Sequence, residues 1–368
     1  MSRIWAQARK ELIQIIRDRR ALSLVLILPV IQLVMMSLSI SITVNDLPIV
    51  VQDFDDSSAS RGFADAFRTS LTFHVVSWPL NSKPEDAFKS GVARGAIVIP
   101  AHFARDLARD GAPAVQLLVD GTDSNTAQLV SNSARAVTRA YEQRVRATPS
   151  HAPVQAAVRL WYNPGRSSKK FYGSGVFVLM LSIFPPLLAS LAMAKEGEQK
   201  TILQVYVSNI SAHEFLLGKI LAFTLIGLVE ASLMLVVLGT YFGLTLVGNP
   251  TTFVVGTILY TVCVATFGTL VGSAIPDQAA AMQAVALFGF LLVFLLSGLI
   301  YPVANIPIGL RWISNFVWGR YYIEVVRDGL LQGGGWPAMW TRLLTIAGIA
   351  SMFYLMAWRG LRRMQLNA

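Results

Sequence analysis

Cysteine is almost absent from this chain: Cys263 is the only one in 368 residues, which excludes an intramolecular disulfide and any cysteine-cluster metal site. Histidine is scarce too, and His74, His102, His151 and His213 are scattered without the spacing of a ligand set. Neither a G-x-S-x-G elbow nor an H-E-x-x-H helix occurs, so no hydrolytic nucleophile or zinc motif is on offer. The phosphate loop G-x-x-x-x-G-K-[ST] is missing as well, which leaves ATP phosphates without a cradle of that kind. Charge is thin: 14% of residues are charged against 54% hydrophobic, and the mean hydropathy is +0.53.

What the chain has instead is long apolar runs. They lie at Ala21 to Thr43, Gly173 to Ala194, Ile220 to Phe242, Thr252 to Ile275, Ala279 to Ile300 and Ala338 to Trp358. Each is of the order of the ~20 helical residues needed to cross a hydrocarbon core about 30 Å thick. They are apolar all round, whereas surface helices of a soluble protein would show a polar face. The pattern predicts a polytopic α-helical membrane protein with six transmembrane helices, and transmembrane helix 1 over residues 21–44 is read as a retained signal anchor rather than a cleaved peptide.

The net charge of +10 and pI near 9.9 follow from basic residues flanking spans, so nucleic acid is not implied. Arg3, Arg9, Lys10, Arg17, Arg19 and Arg20 precede the first run, whereas Asn45 to Ser60 beyond it holds no Lys or Arg. The expectation is a cytoplasmic N-terminus and, after six spans, a cytoplasmic C-terminus carrying Arg359, Arg362 and Arg363. Arg166, Lys169 and Lys170, with Arg311, Arg320 and Arg327, run against that rule; a long translocated domain excuses the first group better than the second. Residues 1–20, with Ile4, Trp5, Ala8, Leu12, Ile15 and Ile16 at helical spacing, read as an amphipathic helix in the inner interface.

Residues 45–172 alternate between strand and helix patterns. Strands are expected at Leu47 to Phe54, Phe73 to Trp78, Ala96 to Ile99, Val115 to Val119 and Val158 to Tyr162. Helices are expected at Ser57 to Ser70, Lys83 to Arg94, His102 to Arg109 and Asn125 to Arg146. This predicts an α/β extracytoplasmic domain inserted between helices 1 and 2. Its Asp53, Asp55, Asp56, Asp120 and Asp123 are carboxylates of the kind hard cations favour, but they match no calcium loop and suit helix caps and turns better.

In the membrane half, the segment 195–219 gathers Lys195, Glu196, Glu198, Lys200, His213, Glu214 and Lys219. A solvated connecting loop and a docking element explain it equally well. Glu230 lies near the middle of the third run, about 16 Å along a helix from Lys219, where a charged group is costly and faces protein or water. Helix packing and a place on a substrate path both fit it. Pro185-Pro186 and Pro276-Asp277 fit hinges or, more simply, helix ends.

Lys195-Glu196-Gly197-Glu198-Gln199-Lys200-Thr201-Ile202-Leu203-Gln204 and Ser211-Ala212-His213-Glu214-Phe215-Leu216-Leu217-Gly218-Lys219 resemble the cytoplasmic loop of ABC-2 family exporter permeases. Lys200 replaces a Gly usual before the Thr, and Asn209 stands where Pro often follows the Ser. Asp53-Phe54-Asp55-Asp56-Ser57-Ser58-Ala59-Ser60-Arg61, Gly95-Ala96-Ile97-Val98-Ile99-Pro100 and Val119-Asp120-Gly121-Thr122-Asp123-Ser124-Asn125 are similar to the outer domain of the multidrug-type branch. Ser297-Gly298-Leu299-Ile300-Tyr301-Pro302, Asn305-Ile306-Pro307 and Tyr321-Tyr322-Ile323-Glu324-Val325-Val326-Arg327-Asp328-Gly329 resemble its re-entrant segment, here 301–336, without the Pro common before the Tyr pair.

The resemblance implies a non-catalytic permease subunit of an ATP-driven exporter in the plasma membrane. Glu196, Glu198, Thr201, Leu203, Gln204 and Ser208 would couple to a separate ABC ATPase, and Pro302, Pro307, Tyr322 and Arg327 would belong to the re-entrant segment. ATP and Mg would be held by that partner and not by this chain. A second permease copy, identical or paralogous, a periplasmic adaptor in a two-membrane cell, and membrane lipids are the further partners implied. The branch suggests drugs or other amphipathic cargo, with lipid or lipid-linked glycan as the alternative. A membrane-anchored sensor would use the outer domain to bind a ligand, but five further spans exceed what anchoring needs. A membrane-embedded enzyme would need a partner for Glu230, and the runs contain no His, Asp or Lys to serve as one near mid-span.

Overall fold

A computed structural model describes residues 2–39, 46–109, 113–121, 124–145, 168–199, 210–300, 303 and 306–366. The chain divides into two compact units, one formed by Met1–Ser41 with Leu160–Ala368 and the other by Ile42–Arg159.

The second unit is built on a four-stranded sheet in the order β2-β1-β3-β4, from β1 (Leu47–Asp53), β2 (Phe73–Val76), β3 (Gly95–Ile99) and β4 (Gln116–Val119). β1 runs parallel to β2 and to β3, and β4 closes the edge antiparallel to β3, with Leu47 opposite Phe73, Ile49 opposite Gly95 and Gly95 opposite Val119. Parallel neighbours need crossovers, supplied by α3 (Ser58–Arg68) and α4 (Pro84–Lys89). Both faces of β1 are covered, which is why its sequence is nearly continuous in apolar residues. One face packs Ile49 and Ile97 against Phe63 and Phe67 of α3, Phe103 of α5 (Phe103–Ala108) and Val130 of α6 (Ser124–Val145). The other packs Val50 and Ala96 against Ala87 of α4.

Two expected elements end early. α4 stops at Lys89 rather than Arg94 because Gly91 takes a left-handed φ of 71°. Its N–H bonds the Phe88 carbonyl while the Val92 N–H reaches back to Ala87, the glycine-terminated helix end that satisfies orphan carbonyls. β2 ends at Val76, short of Trp78. The expected strand at Val158 to Tyr162 lies outside the described residues.

The first unit is helical: α1 (Ser2–Arg17), α2 (Arg19–Ser39), α7 (Ser168–Glu198), α8 (Ala212–Thr240), α9 (Pro250–Ala274), α10 (Gln278–Leu296), α11 (Ile308–Ser314), α12 (Trp318–Arg327) and α13 (Trp336–Leu366). Among the described residues, five helices are long and apolar enough to cross a membrane, within α7, α8, α9, α10 and α13. The first of the six expected spans falls in α2, whose apolar part Val25–Ser39 is shorter than a full crossing; residues 40–43, which would complete it, lie outside the described ones. α10 carries a wide turn at Leu287–Leu292, and a second follows α12 at Asp328–Gln332.

α7 is the central post, with Val176 to Leu181 wholly buried. Pro185 and Pro186 sit inside this unbroken helix rather than at an end. Proline cannot donate a backbone bond, so the carbonyls of Leu181 and Ser182 lose their helical partners. Glycines fill the space around these turns: a Cβ at Gly268 would stand 2.2 Å from the Pro186 carbonyl oxygen, one at Gly272 2.3 Å from that of Ser190, and one at Gly289 2.6 Å from that of Ser182. Gly268 and Gly272 thus form a small-xxx-small seam that lets α9 lie backbone to backbone on α7. Pro276-Asp277, by contrast, is an ordinary junction, where the Asp277 carboxylate accepts from the Ala280 N–H at 2.7 Å and caps α10.

Candidate functional site

The most ionic place in the first unit is where α1, the end of α7 and the start of α8 meet. α1 buries Gln7, Ala8, Glu11 and Ile15, a stripe at helical spacing. Gly218 on α8 admits α1 closely: a Cβ there would stand 2.7 Å from that of Gln7 and 3.0 Å from the Ile4 carbonyl oxygen. Next to it Lys219 is fully buried. Its Nζ donates to Glu11 Oε1 at 2.9 Å and lies 3.3 Å from Glu196 Oε2. Lys10 donates to the other Glu196 oxygen at 3.0 Å, and Gln7 donates to Glu11 at 3.1 Å. Two cations thus meet two carboxylates, so the buried charge is balanced; removing one partner would strand another, at a cost of about 3–5 kcal/mol.

This cluster brackets the segment between α7 and α8. Glu196 and Glu198 belong to the last turn of α7; the first turns inward to Lys219, and the second accepts from Gln278 at the start of α10. At the far side α8 opens with Ser211 and Glu214 capping each other's backbone N–H groups, the S-x-x-E capping box. Arg3 of α1 lies 3.9 Å from Glu214. Thr201, Leu203, Gln204 and Ser208 lie outside the described residues. Glu11 belongs to no motif in the sequence; the signal for its role is an acidic residue on the apolar stripe of an amphipathic helix.

Farther along α8, Glu230 is wholly buried and neither carboxylate oxygen has a hydrogen-bond partner among the described residues. One turn earlier, a Cβ at Gly227 would stand 3.2 Å from Thr261 of α9 and 3.3 Å from Pro185 of α7, so Glu230 lies on the face of α8 that meets those helices. One turn before that, the Thr224 hydroxyl is also buried without a partner among the described residues. An ionised carboxylate here would be uncompensated, the situation that marks intramembrane acids for function.

At the other end, Tyr322 of α12 is buried, donates to the Thr257 hydroxyl at 2.9 Å and stacks on Tyr260 at 3.9 Å between ring centroids. Tyr260 shares a 2.5 Å hydrogen bond with Ser182 of α7. Two tyrosines therefore tie α12, α9 and α7 through an otherwise apolar core. Arg327 donates to the Gly298 carbonyl at 3.2 Å and lies 4.0 Å over the Phe171 ring, while its Nε and Nη2 have no acceptor among the described residues. Pro307 precedes α11 as its N-cap; Pro302 lies outside the described residues. Asp328 accepts from the Gly334 and Gly335 N–H groups at 2.7 and 2.9 Å, shaping the turn into α13.

The aspartates of the second unit serve local structure. Asp53 accepts from the Asp55 and Asp56 N–H groups and from the Ser60 hydroxyl. Asp55 accepts from the Ala104 N–H, and Asp120 pairs with Arg94. The Ser57 side chain, with backbone help from Ala104, holds the Asp55 carboxyl below its ordinary range. Asp123 lies outside the described residues.

Residues 19–359 match the family described as ABC-2 family transporter protein, a span that takes in four of the membrane-length helices just described and most of the last. The chain belongs to the ABC-2 family. Among curated relatives, it is 27% identical over 367 residues to "Probable multidrug ABC transporter permease YbhR" of Escherichia coli (strain K12), covering 96% of this chain and 98% of that one. It is 23% identical to "Probable multidrug ABC transporter permease YbhS" of the same strain, over 98% and 97% of the two chains. "Inner membrane transport permease YhhJ" from that strain is 24% identical over 86% of this chain and 85% of its own. The ABC-2 assignment accounts for the missing phosphate loop: a permease of this family is a multi-pass membrane subunit of an ABC exporter.

Proposed function

We propose that this ABC-2 permease is driven by a separate ABC ATPase and expels drugs or similar amphipathic compounds. The observation that carries the reading is the ion cluster of Lys10, Glu11, Glu196 and Lys219, which fastens α1 to both helices that flank the segment 200–209. A push on that segment by the ATPase would be delivered to α1, α7 and α8 together and not absorbed in a slack loop. In this reading Glu196 positions the segment through Lys219, while Thr201, Leu203, Gln204 and Ser208 make the contact.

α8 would carry the displacement to Glu230, on the side facing Pro185 and Thr261. ATP and Mg bind to the partner, which supplies the free energy. The basic residues of α1 hold the N-terminus at the cytoplasmic surface, and six spans place the C-terminus beside it, with the α/β unit on the outer side. A second permease copy completes the path. Exposed apolar residues of α2 and α10, among them Ile31, Met35, Phe288 and Leu291, are left for that copy and for lipid. In a two-membrane cell the outer unit would meet a periplasmic adaptor. Drug-like cargo is favoured over lipid or glycan by the relatives named as multidrug permeases.

The test is drug accumulation in cells expressing the chain with its ATPase. Export that depends on ATP and is lost on deleting residues 200–209, with the protein still inserted, is the expected result. Equal accumulation with and without that segment would overturn the reading.

A further inference from the structure

The second unit carries an open cavity at the edge of its core. A cavity of about 550 Å³ opens between α6 and the sheet, within the ~300–1,000 Å³ range of small-molecule sites. Its wall is apolar: Leu107 of α5, Val115, and Leu117 and Val119 of β4 are partly exposed there, over the packed side chains of Phe63, Phe67 and Phe103. α6 is pinned near its start, where Gly95 has no Cβ to obstruct Val130, and near its end, where the Tyr141 hydroxyl donates to the Ala59 carbonyl at 2.8 Å. Between those pins Ala134 packs into the same cluster as the phenylalanines, while the small side chains of Ser131 and Thr138 border the cavity.

The rim has a sign. Arg135 and Arg139, one turn apart on α6, border the cavity with Glu142 as the one carboxylate. Neither arginine forms an ion pair among the described residues. We infer that this cavity is a binding site for a single-chain amphipathic organic anion, its aliphatic or aromatic body on Leu107, Val115, Leu117 and Val119 and its carboxylate at Arg135 and Arg139. The ligand's apolar part covers those partly exposed side chains, and the two guanidiniums outweigh Glu142 at the mouth. The inference rests on this unit alone and stands apart from the proposed transport.

The test uses the full chain in phosphatidylcholine nanodiscs, labelled with dodecanoic acid bearing a diazirine at its chain end, and maps the labelled peptides by mass spectrometry. Saturable labelling within residues 97–145 is expected, displaced by dodecanoate about tenfold more effectively than by dodecanol or dodecyltrimethylammonium. Replacing both exposed arginines, Arg135→Gln with Arg139→Gln, should erase that preference while labelling by the apolar chain persists. Thr138→Trp, which fills the space, should abolish saturable labelling. Labelling confined to the membrane helices, equal displacement by the acid and the alcohol, or better displacement by the cation would overturn the inference.

Discussion

Replacing Lys219 by Met removes the one fully buried cation of the inner cluster while keeping most of its volume. Two ion pairs go, at 2.9 Å to Glu11 and 3.3 Å to Glu196. Glu196 retains Lys10 at 3.0 Å, on the more exposed side. Glu11, 3% exposed, keeps only the Gln7 amide at 3.1 Å and Lys10 at 4.0 Å. Breaking a buried pair costs about 3–5 kcal/mol; because one carboxylate keeps its second cation, the lower end applies. About 3 kcal/mol is roughly a hundredfold in the population of opened α1. Limited trypsinolysis reads that opening through cleavage after Arg9 and Lys10, and its rate follows the open population when reclosing is fast. The same preparation, assembled with its ATPase, should lose cargo-stimulated hydrolysis. Adding Glu11→Gln should recover part of the protection, since it removes the stranded charge, so the double variant should cost less than the sum of its parts. Cleavage and stimulation both unchanged in the Lys219→Met protein would refute the reasoning, because a clamp whose centre can be removed without effect holds nothing.

Three further outcomes are expected. Glu230→Gln keeps the shape but cannot ionise, and should lower export about fivefold or more, roughly 1 kcal/mol; unchanged accumulation at unchanged abundance would remove Glu230 from the path. Gly268→Ala drives a methyl to within 2.2 Å of the Pro186 carbonyl oxygen and should cost about 1–3 kcal/mol or more, visible as loss of monodisperse protein on size exclusion, whereas Gly348→Ala, with open space around it, should behave as the parent. The Asp55 carboxyl is held below its ordinary range, first by the Ser57 side chain. Its folded pKa is therefore the lower one, so its contribution to stability is present above the unfolded value near ~3.9 and is lost as pH falls through the folded value. Asp55→Asn should flatten the acid limb of the unfolding curve, and an unaltered limb would exclude this carboxyl as its source.

Much of the architecture could be read from periodicity, and the misses have physical causes. The alternating pattern located β1, α3, β3 and α6 within a few residues because apolar alternation and helical stripes are local signals. The ends of α4 and β2 were misjudged where a single conformational choice decides, as Gly91 does through its left-handed φ. Pro185-Pro186 looked like a helix end because proline breaks an isolated helix. In place it is tolerated, since Gly268 and Gly289 bring neighbouring backbones against the turns it weakens. At the candidate site, Glu230 stood out in one dimension because charge is rare in an apolar run. The clamp did not: Glu11 and Lys219 are 208 positions apart, and only the fold brings them together. The Tyr322–Thr257 bond and the Tyr260 stack were hidden for the same reason. The cavity of the second unit was hidden likewise, since its lining comes from α5, β4 and α6, which only the fold brings together.

The central claim is that this permease takes its energy from a separate ATPase through the segment that the ion cluster brackets. Its most direct test is affinity purification of the chain from native membranes in mild detergent, with and without residues 200–209. A phosphate-loop ATPase that co-purifies with the intact chain and is lost with the deletion, at equal membrane insertion, is the predicted result. A well-folded, abundant chain that brings down no ATPase, or one that keeps it after the deletion, would contradict the account.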